Sequence, residues 1–300
     1  MATAAPARCR GGPAGGTGSM GGEAQRAALT ARLGVPRGGA VRAGGPVVSF
    51  GTTGRVSAFA LPAVGGTVHE YAALARGLDG AVRLHGIEAD GLYAGAAPPG
   101  SLDAVVARTV ELVRRSQPDG PYRLIGWAGG GIVAYETARR LEAEGGTVAQ
   151  VVLIDSPYRT DRWRPDPADD LAALFAGEVL RGLGRPAPVL PRLSAAQHLA
   201  VLADHLADRP APPGTLLSDL ERWYAVFVSR TAALSGYRAA GHLAAAALLV
   251  SAHGSQDWAP YWRGRFHGGV RELSTTAGHY GILHPPAVAS TAAAIRAALS

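Results

Sequence analysis

A glycine-rich segment in the middle of the chain has the composition of a turn that presents a reactive side chain. Residues 122–136 read YRLIGWAGGGIVAYE, which predicts an apolar strand, a sharp turn and a helix. Residues 126–130 of this segment fit the nucleophile-elbow pattern G-x-S-x-G, with Ala128 at its centre. Such a turn strains the backbone of the central residue, and Gly126 and Gly130 would let the strand and the helix approach closely.

The chemistry of such an elbow is nucleophilic attack on an acyl carbon. The N–H group of Gly129, at the start of the predicted helix, would face the oxyanion of a tetrahedral intermediate. A glycine-rich turn between a strand and a helix can also bind phosphate through its N–H groups. Neither GxGxxG nor GxxxxGKS fits residues 122–136, so acyl chemistry is the stronger prediction.

The elements that must position this turn alternate along the chain from Val47 onward. Short apolar runs predict buried strands, and segments of helical periodicity lie between or after them. The predicted strands are 56–64, 82–87, 122–127, 148–154, 246–252 and 271–274, and the predicted helices are 71–78, 102–115, 130–144 and 287–299. Alternation of this kind predicts an α/β fold, a mostly parallel sheet with helices on both faces.

Residues 157–240 interrupt the alternation. This segment is rich in proline, and its helical periodicity is confined to patches. The patches are 169–180, 194–206 and 216–235. Because a structureless insertion of this length is rare in a compact domain, the segment predicts a helical lid, with ordinary crossover helices as the alternative. Leu171, Leu174 and Phe175 form an apolar stripe that we expect to cover the pocket, although the stripe could instead pack the lid onto the core.

The composition restricts the class of protein. Residues 1–44 contain almost no large apolar side chains, so we expect a disordered leader followed by one domain over 45–300. The net charge of +6 suggests a nucleic-acid partner, but all 29 basic residues are arginine and are spread along the chain. Lysine and asparagine are absent from the sequence, which indicates a coding bias. Nucleic acid is therefore not an expected partner.

Signals for a membrane, for secretion and for metal are weak. No apolar run approaches the roughly 18 residues that span a bilayer, and the N-terminus lacks the apolar region of a secretory signal. A cytoplasmic location is the expectation. Cys9 is the single cysteine and lies in the leader, which predicts neither a disulfide framework nor a cysteine metal site.

Taken together, these motifs resemble the thioesterase domains that release products from nonribosomal peptide and polyketide synthases, which are α/β-hydrolases. The resemblance extends from about residue 56 to the C-terminus, and four motifs occur in the family's order. They are the oxyanion loop LPAVGGTV at 61–68, the elbow GWAGGG at 126–131, the acid-bearing strand end VLIDSP at 152–157 and the histidine loop AGHYGIL at 277–283. The elbow matches the family's GWSxGG except at its centre.

This resemblance implies a role for each matching residue. His279 is the general base, and Asp155 orients it and stabilises its charged form. The N–H groups of Val64 and Gly129 form the oxyanion hole. The order nucleophile, acid, histidine is that of α/β-hydrolases. Asp257, after the next predicted strand, is the alternative acid.

The nucleophile does not transfer, because position 128 is alanine. Its neighbours carry no hydroxyl, and Ser156 is expected to point to the opposite face of its strand. Three explanations stay open: a serine or cysteine was replaced by Ala128 to trap an acyl substrate, the chain is a natural pseudo-thioesterase that binds acyl or carrier-protein partners, or the His–Asp pair is a base for non-hydrolytic chemistry. We favour the first, since alanine removes only the reactive atom and keeps the strained turn.

The resemblance also implies the reaction and its partners. An acyl or peptidyl chain would arrive as a phosphopantetheine thioester on an acyl or peptidyl carrier protein. Water would release it as a free acid, or an internal hydroxyl or amine would release it by macrocyclisation. No metal, no organic cofactor and no membrane partner are implied. The chain contains no carrier-protein serine motif, so the carrier is expected to be separate or excised.

Overall fold

The computed structural model describes residues 41–42, 45–51, 53–93, 96–160, 171–182, 185, 193–206, 216–255 and 257–299. Its strands are β1 (Val41–Arg42), β2 (Val47–Ser49), β3 (Val56–Leu61), β4 (Val82–Ile87), β5 (Tyr122–Trp127), β6 (Val148–Ile154), β7 (Ala246–Ser251) and β8 (Val270–Ser274). They form one sheet in the order β1-β2-β4-β3-β5-β6-β7-β8. The strands from β4 to β8 in this order run parallel, and β2 lies antiparallel to both β1 and β4.

The helices cover both faces of this sheet. They are α1 (Ala72–Leu78), α2 (Leu102–Ser116), α3 (Gly129–Ala143), α4 (Leu171–Gly182), α5 (Ala195–Leu206), α6 (Leu216–Leu234), α7 (Ala259–Arg263) and α8 (Val288–Leu299), with 3-10 turns at His69–Tyr71 and Gly281–Leu283. One core lies between the sheet and α2, α3 and α7, and the other lies between the sheet and α1 and α8. Successive strand residues alternate between the two cores, as Leu124 and Ile125 do in β5, because side chains alternate across a strand.

The predicted α/β-hydrolase architecture is confirmed. The structure differs from the prediction in two short additional strands and in the point where β3 ends. Strands β1 and β2 are two and three residues long, too short for periodicity to reveal them, and β1 falls inside the segment expected to be a leader. The rest of the leader lies outside the described residues. The strand predicted over 56–64 ends at Leu61, because Pro62 has no N–H to donate and the chain turns there into a loop.

The lid between β6 and β7 contains α4, α5 and α6. These three helices pack around a separate apolar core that includes Phe175, Leu202, Trp223 and Phe227. The remaining lid residues, 161–170, 183–184, 186–192 and 207–215, lie outside the described part. None of the helices that the structure describes is both long and apolar enough to cross a membrane.

Candidate active site

The elbow joins β5 to α3 at Ala128. This residue has φ +50° and ψ −127°, a backbone conformation that residues other than glycine rarely adopt. A Cβ atom placed on Gly126 would lie 2.3 Å from the carbonyl oxygen of Gly130, and one placed on Gly130 would lie 2.4 Å from that of Leu61. Both positions therefore require glycine, and the close packing of strand and helix holds Ala128 in its strained backbone.

Asp155 follows the last residue of β6 and also has a positive φ, of 43°. Its Oδ2 lies 2.5 Å from Nδ1 of His279, while its Oδ1 accepts hydrogen bonds from the Ala252 N–H at 3.1 Å and from the Ser255 hydroxyl at 2.6 Å. Burial acts to raise the pKa of Asp155, but these hydrogen bonds together hold it below its ordinary value. Asp155 is therefore a carboxylate at neutral pH.

Of the two candidate acids, Asp155 is the one that contacts the histidine. Asp257 instead accepts a hydrogen bond through its Oδ1, at 3.0 Å, from the N–H of Ala259, the first residue of the short helix α7.

The histidine loop lies between β8 and the second 3-10 turn. The His279 ring stacks on Trp127 of the elbow, with centroids 4.8 Å apart, and meets Tyr280 edge-on. Since Nδ1 faces Asp155, Nε2 is the ring nitrogen left for proton transfer. Ala128 and His279 line the same cavity, so an atom attached at position 128 would share a space with this ring.

The oxyanion positions lie on two adjacent segments. A Cβ atom placed on Gly129 would be 3.9 Å from the Val64 nitrogen, so the backbones of these residues are neighbours. The loop that carries Val64 is tied to the elbow by Tyr71, whose hydroxyl donates to the Leu61 carbonyl at 2.7 Å and accepts from the Trp127 N–H at 2.8 Å. Burial raises the pKa of Tyr71, so this hydroxyl stays protonated.

A cavity of about 710 Å³ opens above the elbow. Its lining includes five of the seven predicted positions of the site, Val64, Ala128, Gly129, Asp155 and His279. The lid contributes Leu174, Glu178, Phe227 and Leu234, and Trp258 and Tyr261 add aromatic rings to the lining. The size and the mixed lining suit an extended organic substrate.

The three residues of the predicted lid stripe do not all face the cavity. Leu174 lines the cavity as expected. Phe175 does not cover it, because its ring is buried in the lid's own core against Trp223 and Phe227, with centroids 5.2 and 5.5 Å away. Leu171 packs against the same cluster.

Ser156 is turned away from the cavity. Its hydroxyl is buried and donates to the carbonyl oxygens of Gly126 at 3.3 Å and Ile154 at 3.1 Å. It lies against Gly131 of α3, behind the elbow, where it cannot substitute for a nucleophile at position 128.

Comparison with known families fits this geometry. The thioesterase-domain family matches residues 58–211, about half of the chain. This chain belongs to the thioesterase family. The family predicted from the four sequence motifs is thereby confirmed.

This chain is similar to parts of larger synthases. It is 39% identical over 78 residues to the polyketide synthase PksR of Bacillus subtilis, which covers 26% of this chain and 3% of PksR. Among solved structures, the four-domain nonribosomal peptide synthetase AB3403 has a TM-score of 0.70 at 24% identity over 83% of this chain and 20% of its own. The Vlm2 thioesterase domain has a TM-score of 0.65 at 21% identity, covering 83% and 95% of the two chains.

These likenesses differ in reach. The similarities to solved structures establish the fold alone, because the sequence identities are below 25%. The chain spans 6% or less of the length of the curated relatives described by the matches, so it corresponds to a small part of each of them.

Several residues that support the candidate site were not predicted from the sequence. Tyr71, Ser255 and Arg230 each support a predicted site residue or its loop through a hydrogen bond. The sequence does contain one indication of Arg230. It lies on the apolar stripe of α6, between Phe227 and Leu234, where a charged residue is unexpected.

Proposed function

We propose that this thioesterase domain is built to release an acyl or peptidyl chain from the phosphopantetheine thioester of a carrier protein, in a form that lacks the nucleophile. The observation that carries this proposal is the Asp155–His279 hydrogen bond, which lines the 710 Å³ cavity together with Ala128. An orienting acid and a base beside an elbow are the arrangement of acyl-transfer hydrolases.

With serine or cysteine at position 128, release would proceed in two steps. His279 takes the proton of the nucleophile as its oxygen or sulfur attacks the thioester carbon, and the N–H groups of Val64 and Gly129 stabilise the oxyanion. The carbon–sulfur bond then breaks, and His279 returns the proton to the departing pantetheine thiolate. The acyl group remains bound to residue 128.

In the second step, water or an internal hydroxyl or amine of the acyl chain attacks this acyl-enzyme. His279 accepts the attacker's proton and gives it back to residue 128 as the acyl bond breaks. The product is a free acid, a lactone or a lactam, and the lid decides between them by admitting or excluding water. These steps need no metal or organic cofactor, because acid, base and oxyanion donors are groups of the protein.

A binding role is the second candidate. Ala128 has no atom that can form an acyl bond, whereas the cavity and the residues around it are fully assembled. A natural pseudo-thioesterase of this form would hold an acyl-carrier partner without turnover. A third alternative is a base reaction of the His279–Asp155 pair that involves no hydrolysis.

Restoring the nucleophile tests the proposal. Ala128→Ser and Ala128→Cys are incubated with a panel of acyl-pantetheine thioesters, and intact-protein mass spectrometry follows the adduct. We expect an acyl adduct and thiol release in both variants, and at least about 10⁴-fold slower turnover in the unmodified chain, since loss of a triad serine costs about 10⁶-fold in kcat. His279→Ala in the Ala128→Ser background is the matched control and should remove the adduct. A folded Ala128→Ser variant without adduct or thiol release would contradict the proposal and favour the binding role.

A further inference from the structure

Arg230 of the lid helix α6 is a buried cation directly behind the oxyanion loop. Only 4% of it is exposed. Its Nε donates a hydrogen bond to the carbonyl oxygen of Ala63 at 3.1 Å, and its Nη2 donates to that of Pro62 at 2.8 Å. Burial lowers the pKa of Arg230 to about 10, so the guanidinium still carries its charge at neutral pH.

The partners of this cation are unusual. Among the residues that the structure describes, Arg230 has no carboxylate within ion-pair distance, and its hydrogen bonds go to two neutral carbonyl groups. Burying a charge without an opposite charge destabilises a fold. An apolar residue would fill the same position on α6, between Phe227 and Leu234, without that cost. The cation therefore calls for a role other than packing.

The covalent structure of the loop indicates that role. The carbonyl of Ala63 and the N–H of Val64 are the two ends of one peptide group. Electrons are delocalised across this group, so a cation bonded to the oxygen draws charge from the nitrogen and makes its hydrogen a stronger donor. The Val64 N–H is the group expected to bind the oxyanion.

We propose that Arg230 is a positioning residue of the oxyanion hole, which orients the Ala63–Val64 peptide and polarises its N–H. For its effect on turnover, this inference rests on the proposed function. The charge of Arg230 would act through one peptide on the negative charge that develops on the substrate, in a buried site where water screens it weakly.

The same helix provides a matched control. Trp223, two turns earlier on α6, donates its indole N–H to the Gly65 carbonyl at 2.6 Å. This bond also ties the oxyanion loop to the lid, but it is neutral and does not involve the Ala63–Val64 peptide. A purely structural tie would make Arg230 and Trp223 equivalent, whereas polarisation is specific to Arg230.

The first test uses the chain as it is and requires no turnover. We compare the amide ¹⁵N shift of Val64 by NMR in Arg230→Lys, Arg230→Gln and Trp223→Phe. We expect an upfield change in Arg230→Gln, a change less than half as large in Arg230→Lys because lysine keeps the charge, and little change in Trp223→Phe. Equal changes in all three variants, or none at Val64, would overturn the proposal.

A measurement on the unmodified chain covers the case in which the Arg230→Gln variant fails to fold. Scalar coupling between the Nε of Arg230 and the carbonyl carbon of Ala63, transmitted through the hydrogen bond to the Ala63 oxygen, should be detectable. Its absence would remove the contact on which the inference depends.

The second test measures turnover in the Ala128→Ser background. Arg230→Gln should lower kcat about 10- to 100-fold with little change in KM, which is less than the 10²- to 10³-fold cost of deleting an oxyanion donor. Arg230→Lys should recover most of the rate, and Trp223→Phe should change kcat less than threefold. An unchanged kcat in Arg230→Gln would contradict the proposal. An inactive Ala128→Ser variant would count against the proposed function alone, because the NMR comparison still decides the role of Arg230.

Discussion

Tyr280 donates its hydroxyl hydrogen to Glu178, which joins the residue after His279 to the first lid helix. Arg181, one turn further along that helix, lies 3.4 Å from Glu178 and places its guanidinium 5.1 Å from the centroid of the Tyr280 ring. Burial and the nearby carboxylate raise the pKa of Tyr280 to about 12, so the phenol remains a donor at neutral pH. The lid and the histidine loop are therefore linked by a polar contact close to the cavity.

This link predicts that Tyr280→Phe loosens the lid. Removing the hydroxyl leaves Glu178 with one donor fewer, at a cost of about 1 kcal/mol. Limited proteolysis between residues 157 and 240 should become several-fold faster. Tyr261→Phe is the matched control, since Tyr261 also lines the cavity, is half-exposed and stacks on Tyr158 through its ring. Equal proteolysis rates in the two variants would contradict the link.

The lowered pKa of Asp155 predicts how stability changes in acid. The ionised carboxylate stabilises the fold at pH values above its unfolded pKa of about 3.9, and this contribution disappears as the pH falls through the lower pKa of the folded state. Asp155→Asn should therefore be less stable than the parent at neutral pH, and the difference should shrink below about pH 4. Urea unfolding from pH 7 to pH 2 measures it, with Asp257→Asn as the control. A difference that stays constant over this range would count against the assignment.

The close packing of the elbow predicts a large loss of stability in Gly130→Ala. The added Cβ would lie 2.4 Å from the Leu61 carbonyl oxygen and 2.9 Å from that of Pro62, and both are backbone atoms. Forced overpacking of this kind costs about 1–3 kcal/mol or more. At Gly264 the added atom meets open space, so Gly264→Ala should stay within about 0.5 kcal/mol of the parent. Denaturant unfolding of both variants measures the loss of stability, and similar midpoints would show that the elbow can relax.

The cavity wall predicts which lid residue selects acyl chains. Leu174→Trp should reduce the volume above the elbow and weaken the binding of long acyl-pantetheine thioesters about tenfold, while short ones lose little. Leu217→Trp, at an exposed position on α6, is the control. Calorimetry on the chain as it is measures both variants. A loss that is independent of acyl length would mean that Leu174 does not border the acyl site.

How much of this structure the sequence predicts depends on how far apart in the chain the residues that form each feature lie. The strands 82–87, 122–127 and 148–154 are correct to the residue, because each is a short run with apolar residues that follows a glycine-containing turn. Strand β1 is two residues long and has no periodicity that could be detected. Local patterns predict elements of several residues and not isolated pairings.

The supporting contacts of the site could not be predicted for a different reason. Arg230 reaches Ala63 across 167 residues of sequence, and Tyr71 reaches Trp127 across 56. The choice between Asp155 and Asp257 was open because both follow a strand; the structure separates them by the positive φ of Asp155 and its contact with His279. Such relations arise from the assembled fold.

The backbone at position 128 has a consequence for how this site changes over generations. Ala128 and Asp155 follow the last paired residues of neighbouring strands, Trp127 and Ile154, and the Ala128 N–H bonds to the Ile154 carbonyl at 3.0 Å. Their spacing is therefore held by the main-chain ladder, and the side chain at 128 contributes nothing to it. A single base change converts any alanine codon into a serine codon. A lineage could thus lose and regain the reactive hydroxyl repeatedly while the rest of the pocket stayed intact, so disarming the site is a reversible genetic step.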